Sequence, residues 1–170
     1  TADKSGDGYV LNGTKLFVPN AHVSDNLVVA ARTGEEDTDI SLFIVSSQAK
    51  GVTQNLLKTI ASDRQSEVVF EKVEVPSSAL LGEKNAGWAT IEKVLQWGAI
   101  GKCAEMSGGG QEVLDMTVEY AKQRTQFGRP IGTFQAIQHH CANMATDVEG
   151  AKFITYQAAW KLSEGLPAER

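Results

Sequence analysis

The stretch Arg124-Thr125-Gln126-Phe127-Gly128-Arg129-Pro130-Ile131, with Phe134-Gln135 close behind it, joins two long helical patterns. A cation closes the first helix, where the macrodipole favours it. Gly128 and Pro130 enforce a turn, and a new helix is expected to open at Thr133. The joint should therefore gather two guanidinium groups and several backbone amides around one small volume, which suits an anion. A terminal cation followed by Gly-Arg-Pro is also ordinary turn chemistry, so the residues alone leave both readings open.

On the amino-terminal side, Trp88, Ile91, Leu95, Ala99, Cys103, Met106, Gly110, Leu114, Val118 and Ala121 recur every three or four residues, predicting a helix from about Ala86 to Gln123. At 1.5 Å per residue the rod is on the order of 55 Å long, so it needs a bundle or an interface to cover its apolar stripe. Gly108-Gly109-Gly110 either cost about 1 kcal/mol each inside a continuous helix, with close packing as compensation, or break the rod in two. On the carboxy-terminal side, Ile137, Cys141, Met144, Val148, Ala151, Thr155, Ala158 and Leu162 alternate spacings of four and three, a seam whose small residues admit a close partner.

Before Gly82 the period shortens. Thr14–Val18, Leu27–Arg32, Ser41–Ser46 and Glu67–Val75 mix β-branched or aromatic residues with polar ones, as strands do. Turn signals stand between them at Asn12-Gly13, Thr33-Gly34-Glu35-Glu36-Asp37 and Lys50-Gly51. An all-β half thus precedes an all-helical one.

The 170 residues fit one large domain or two small ones, and a 42% hydrophobic fraction is that of a folded chain. With 21 acidic and 16 basic side chains the net charge is -5, so an anion site has to be a local cluster, and broad nucleic-acid binding is disfavoured. Cys103 and Cys141 occupy core-like helical positions and are expected to pack. With no signal peptide and no apolar run of membrane length, a reduced, soluble protein is expected. His139-His140 and His22 form no metal array with the cysteines, because neighbours on a helix point about 100° apart and no HxxxH or CxxC spacing occurs. There is no P-loop, and the triple glycine lacks a dinucleotide spacing. Asp63-Arg64 and Glu35-Glu36-Asp37 are expected as solvated loop charges.

Arg124-x-Gln126-Phe127-Gly128-x-Pro130-Ile131-x-x-Phe134-Gln135 resembles the signature of the acyl-CoA dehydrogenase family. The likeness extends along the whole chain. Gly8 to Asn20 is similar to that family's middle-domain strand, Val69 to Pro76 through Leu80-Leu81-Gly82 to the exit of that domain, and Gln138 to Met144 with Tyr156 to Trp160 to the helical domain. The resemblance implies a segregated α+β fold. Residues 1–84 would be a middle domain built as an antiparallel β-barrel or sandwich, and residues 85–170 long antiparallel helices of an incomplete four-helix bundle, with both ends of the chain truncated.

Members of the family bind FAD and oxidise an acyl-CoA thioester to the trans-2-enoyl-CoA. A carboxylate takes the α-proton, hydride passes to flavin N5, and electrons leave for an electron-transfer flavoprotein. Residue by residue, Arg124 matches the arginine that reaches the FAD pyrophosphate of a neighbouring subunit, Gln126 and Phe127 lie along that cofactor, and Gln135 contacts it from the next helix. Phe17-Val18-Pro19 stands where the family has Trp-Ile-Thr or Trp-Ile-Ser against the flavin ring. Pro19 brings neither a hydroxyl nor an N–H. Gln96-Trp97-Gly98-Ala99 stands on the substrate side, where relatives carry an acid followed by an arginine near the thioester, and some branches place the catalytic glutamate at the position of Gly98. No catalytic residue is therefore expected in this chain, and the base should lie beyond Arg170. The loop at Ser62-Asp63 would approach the flavin or the acyl-CoA.

The resemblance further implies a homodimer or homotetramer, since an Arg124 that serves a neighbour's FAD needs a two-fold partner. No metal, no nucleic acid and no membrane span is expected, from the spacing, charge and hydropathy already described. The expected location is the cytoplasm of a bacterium or the mitochondrial matrix of a eukaryote. Alternatives on the same fold are an oxidase, a monooxygenase, a DNA-binding alkylation-response flavoprotein, or a catalytically silent helical module. A DNA binder should carry a basic stripe, and here Lys and Arg are scattered.

Overall fold

The structure is a computed structural model that describes residues 1–168, so the last two residues of the expected helical domain lie outside the described residues. It divides into two compact units, Thr1–Glu92 and Lys93–Arg170.

The first unit contains β1 (Ala2–Ser5), β2 (Gly8–Pro19), β3 (Asn26–Arg32), β4 (Ile40–Ser46), β5 (Val52–Leu57), β6 (Gln65–Pro76) and β7 (Leu80–Leu81). They form two antiparallel sheets, ordered β1-β2-β6-β5 and β3-β4-β7. Neither sheet closes on itself, so the barrel alternative gives way to the sandwich. One core joins Tyr9, Leu11, Val68 and Val73 of the first sheet to Val29, Phe43 and Val45 of the second. Burying these residues is what holds the layers together. Tyr9 meets Phe43 edge-on with ring centroids 5.0 Å apart.

The long central pair β2–β6 bends at two irregularities. In β6 the buried side chains are Ser66, Val68 and Phe70, then Val73 and Val75, so the alternation changes phase. The extra residue is Lys72, at φ 50°. Its N–H donates to Asn12 Oδ1 at 2.9 Å. A one-residue bulge turns the strand over and returns its apolar face to the core. Asn12-Gly13 is therefore not the turn its dipeptide signals; it sits within the ladder, where the Asn12 amide satisfies the bulge opposite. The true hairpin turn between β1 and β2 is Gly6-Asp7.

The helix α1 (Gly87–Gln123) opens inside the first unit, which reaches Glu92. Gly87 is required there, because a Cβ would lie 2.9 Å from the Ile40 carbonyl oxygen. Just before it, Asn85 N–H donates to the buried Ser41 hydroxyl at 2.8 Å, and the Thr33 hydroxyl donates to Asn85 Oδ1 at 2.6 Å.

In the second unit α1 continues unbroken, and a short ladder of β8 (Thr125–Gln126) and β9 (Arg129–Pro130) leads to α2 (Gln135–Ser163). The three glycines do not break the rod. Close packing does not compensate for them either: a Cβ at Gly108 or Gly109 would meet nothing within 4 Å, and one at Gly110 would touch Val148 Cγ2 at an ordinary 3.5 Å. The helices run antiparallel, with the Ser107 hydroxyl 3.3 Å from that of Thr155. The α2 stripe faces inward as its spacing demands, with Thr155 buried and Ile137, Cys141, Met144, Val148, Ala158 and Leu162 half-buried, while Ala151 stays exposed. Of the α1 stripe only Leu114 and Ala121 are buried; Leu95 and Met106 are exposed. Cys103 is exposed as well, so it is not the packing residue its register suggested; Cys141 is half-buried. One partner helix covers one side of α1, and its apolar residues occupy more than one.

Candidate functional site

The elbow between the helices is a tighter structure than its turn residues announced. Thr125 pairs with Pro130 and Gln126 with Arg129, leaving Phe127-Gly128 as a two-residue hairpin loop. Their φ values are 51° and 78°. Hairpin loops with both central residues left-handed match the strand twist, and Asn-Gly is the dipeptide that normally meets the requirement. Gly128 meets it freely; Phe127 does so against the preference of an L-residue with a bulky side chain. The loop is tied to α1, because Arg124 N–H donates to the Tyr120 carbonyl at 2.8 Å and the Arg124 carbonyl accepts from Ile131 N–H at 2.8 Å. A short 3-10 turn, Ile131–Thr133, follows. Hence α2 opens at Gln135 with Phe134 as its N-cap, not at Thr133. Pro130 fixes the chain's exit, and the Thr133 hydroxyl spends itself on the Pro130 carbonyl at 2.7 Å.

Arg124, Gln126, Phe127, Arg129 and Gln135 are all exposed. The Gln126 amide donates to the Thr125 carbonyl at 2.8 Å. Phe127 is 94% exposed, and its ring meets that of Phe134 edge-on at 6.2 Å. The Arg129 guanidinium lies 4.2 Å from the centre of the Phe134 ring. This stack was missed in the sequence, although an Arg and a Phe flanking a tight turn are a usable signal for it. The two guanidinium groups expected around one volume thus have different settings, one stacked on a ring and the other facing solvent.

The elbow's charge favours an anion. From Tyr120 to Thr146 the chain carries Lys122, Arg124 and Arg129 and no carboxylate; Lys122 is paired with Glu119 just before this run, so the local positive charge in a protein of net charge -5 is that of the two arginines. No side chain caps α2, and although Ile137 N–H is spent on the Phe134 carbonyl at 3.0 Å, the positive end of a 29-residue helix lies at the elbow. Guanidinium and carboxamide groups with free N–H donors are the chemistry a diphosphate needs. These residues fit the dinucleotide that the resemblance implies.

The second cluster lies in the β unit. Val18 pairs with Ser66 and Lys15 with Val68, so β2 carries one residue more than β6 between them. Phe17 sits in that bulge at φ 57° with its ring 63% exposed. Bulges re-aim side chains, and here the strand end of Lys15 to Pro19 is turned onto a groove of about 450 Å³. Asn26 to Ala30, Val68 and Phe70 form the other walls. The lining is mainly apolar and suits a planar ring system. Pro19 offers it no N–H, as the sequence requires.

Gln96, Trp97, Gly98 and Ala99 are exposed on α1. Three clusters are therefore present, one in the first unit and two in the second. In the loop after β5 Asp63 and Arg64 are exposed, as expected of solvated charges, and Asp63 also accepts from both the Thr59 hydroxyl and the Gln65 amide beside a fully exposed Ile60. Glu105 is held below the usual carboxylate range, first by its hydrogen bond with Lys102 and then by that cation's charge, an exposed pair on α1 remote in sequence from the elbow. Among the described residues no three His, Cys, Asp or Glu side chains gather as metal ligands, and no helix is long and apolar enough to cross a membrane.

Comparison with known proteins places this geometry in a family. The model described as acyl-CoA dehydrogenase, C-terminal domain, matches residues 85–170, and that of the acyl-CoA dehydrogenase middle domain matches residues 1–73. The chain is 42% identical to a 3-(aryl)acrylate reductase of Clostridium sporogenes, over 100% of its own length and 46% of the relative's. It superposes on butyryl-CoA dehydrogenase from Megasphaera elsdenii with a TM-score of 0.90 at 35% identity, covering 98% of this chain and 45% of that one. It superposes on PigA with FAD and proline with a TM-score of 0.94 at 31% identity, covering 99% and 45%. The chain spans less than half the length of these relatives. Two matched domains in their proper order, on a sandwich followed by long antiparallel helices, make the chain a member of the acyl-CoA dehydrogenase family.

Proposed function

We propose that this chain is the flavin-binding stretch of an FAD-dependent acyl-CoA dehydrogenase that oxidises an acyl-CoA thioester to the trans-2-enoyl-CoA. Its division would fall at 84/85, which leaves the whole of α1 in the helical domain. The observation that carries the reading is the elbow: a carboxylate-free cationic run at an uncapped helix start, with an exposed aromatic ring on a strained turn. Arg124 would give its planar fork to the pyrophosphate, assisted by Gln126 and Gln135, while Phe127 lies along the dinucleotide. Phe17 and Val18 would flank the flavin ring, and Gln96 to Ala99 would lie on the substrate side.

Bound FAD supplies the hydride acceptor. The chain's own residues bind and orient it and keep water from one side of the ring. None of the matched positions offers a carboxylate for α-proton removal, Gly98 included. The base belongs to another part of the protein. The electron acceptor would be an electron-transfer flavoprotein, and a homodimer or homotetramer would let one subunit's elbow complete another's cofactor site. Nucleic acid is not a partner in this reading. The enzyme would work in the bacterial cytoplasm or the mitochondrial matrix.

The 42%-identical relative is named as a reductase of a 3-(aryl)acrylate, which concerns a carbon–carbon double bond beside a carboxyl carbon. That relative favours a second reading, in which the same bond is worked in the reductive direction. The test is anaerobic titration of the full-length flavoprotein with saturated and 2,3-unsaturated thioesters. Bleaching of the oxidised flavin by a saturated acyl-CoA supports dehydrogenation; no bleaching by any saturated thioester, with reoxidation of reduced flavin by an unsaturated one, supports the reductive reading.

A further inference from the structure

Of the elbow's two arginines, one has a use inside the protein. Arg129 carries its guanidinium 4.2 Å from the centre of the Phe134 ring. That distance is well within the range at which a cation is attracted to a ring face. Phe134 is half-buried at the start of α2, and it is the ring that Phe127 meets edge-on at 6.2 Å and 87° between planes. The three side chains form one assembly, Arg129 on Phe134 and Phe134 against Phe127.

Phe127 is the member whose presence needs explaining. It is 94% exposed and holds a left-handed backbone that Asn or Gly would adopt more readily. An apolar ring in water, on a turn that disfavours it, contributes little to the fold. A planar π surface held at a fixed angle beside an open helix start suits stacking on a planar heterocycle. Without the edge contact, the ring would swing freely on its turn.

Resting on the assignment of the elbow to FAD, we propose that Arg129 is a positioning residue: by stacking on Phe134 it fixes the ring against which Phe127 leans, and so orients Phe127 toward the dinucleotide. Arg124 is left as the cation for the diphosphate. Arg129 acts through two aromatic rings, not through its own contact with the cofactor.

The experiment is a double-mutant cycle on the full-length protein, with the FAD dissociation constant read from flavin fluorescence and apoprotein stability from urea unfolding. Arg129→Ala should weaken FAD binding by roughly two- to fivefold, the equivalent of an exposed cation–π contact. The loss should vanish in a Phe127→Ala background and in a Phe134→Leu background, and Arg129→Lys should restore part of it. Should Arg129→Ala fail to fold, Arg129→Gln is put through the same cycle. Unchanged affinity in the Arg129 variants, or a loss that persists undiminished when Phe127 is already alanine, overturns the proposal; the latter would mean direct contact with the cofactor. If Phe127→Ala and Arg124→Ala also leave affinity unchanged, the FAD assignment itself falls; if they weaken binding and the Arg129 variants do not, only the positioning role falls.

Discussion

Phe127→Asn separates what the elbow does for the fold from what it does for a ligand. The native residue holds φ 51° in a two-residue hairpin loop with Gly128. An L-residue in the left-handed region costs roughly 1–2 kcal/mol, which Asn largely avoids. The variant loses the edge contact with Phe134, worth about 0.5–1.5 kcal/mol. Because the ring is 94% exposed, almost no other burial is lost. The two effects nearly cancel, so the full-length apoprotein should stay within about 1 kcal/mol of the parent, on the stabilised side, a shift of a few degrees at most in its melting temperature. FAD affinity, followed by flavin fluorescence in the same preparations, should fall. A stability loss above about 2 kcal/mol would mean that the ring is structural after all, since a single edge contact cannot supply that much. Undiminished affinity with intact stability would mean that Phe127 does not face the cofactor.

Three further outcomes follow from the packing. Ser41→Ala should cost about 0.5–1.5 kcal/mol in urea unfolding, because it removes the acceptor of the Asn85 N–H, and amide exchange at Asn85 should speed up with it. Gly109→Ala should raise stability by up to about 1 kcal/mol, since nothing lies within 4 Å of the added methyl; a drop would reveal a helix from elsewhere in the protein packed on that face. Phe43→Ala, at a fully buried position where both sheets meet, should cost about 3–5 kcal/mol and take cooperative unfolding of the β unit with it.

Much of the fold was legible in periodicity. The two helices, and strands β2, β3, β4 and β6, overlap the stretches where alternation and three-to-four spacing put them. What escaped depends on partners far along the chain. Asn12-Gly13 has the composition of a turn, yet its amide was recruited by Lys72, sixty residues on. The ladder Thr125–Gln126 with Arg129–Pro130 is too short to have a period of its own. Strand β5, Val52–Leu57, carries Thr53, Gln54 and Asn55, so its alternation is muted. Cys103 and the upper half of the α1 stripe follow a helical seam, but a seam says nothing of how many partners cover it. The site residues came from resemblance, and their local physics came from the structure: Phe17 and Phe127, the two aromatics matched to the cofactor, are both left-handed and both exposed. Backbone strain of this kind gathers at ligand sites, and no periodicity carries it.

The most direct measurement is the flavin content of the full-length protein with Arg124→Ala. After gel filtration, the ratio of flavin absorbance to protein absorbance should collapse while the circular dichroism spectrum and cooperative unfolding are retained, because the Arg124 side chain is exposed to solvent. A variant that elutes folded with its flavin undiminished would contradict the claim that this elbow grips the cofactor's diphosphate.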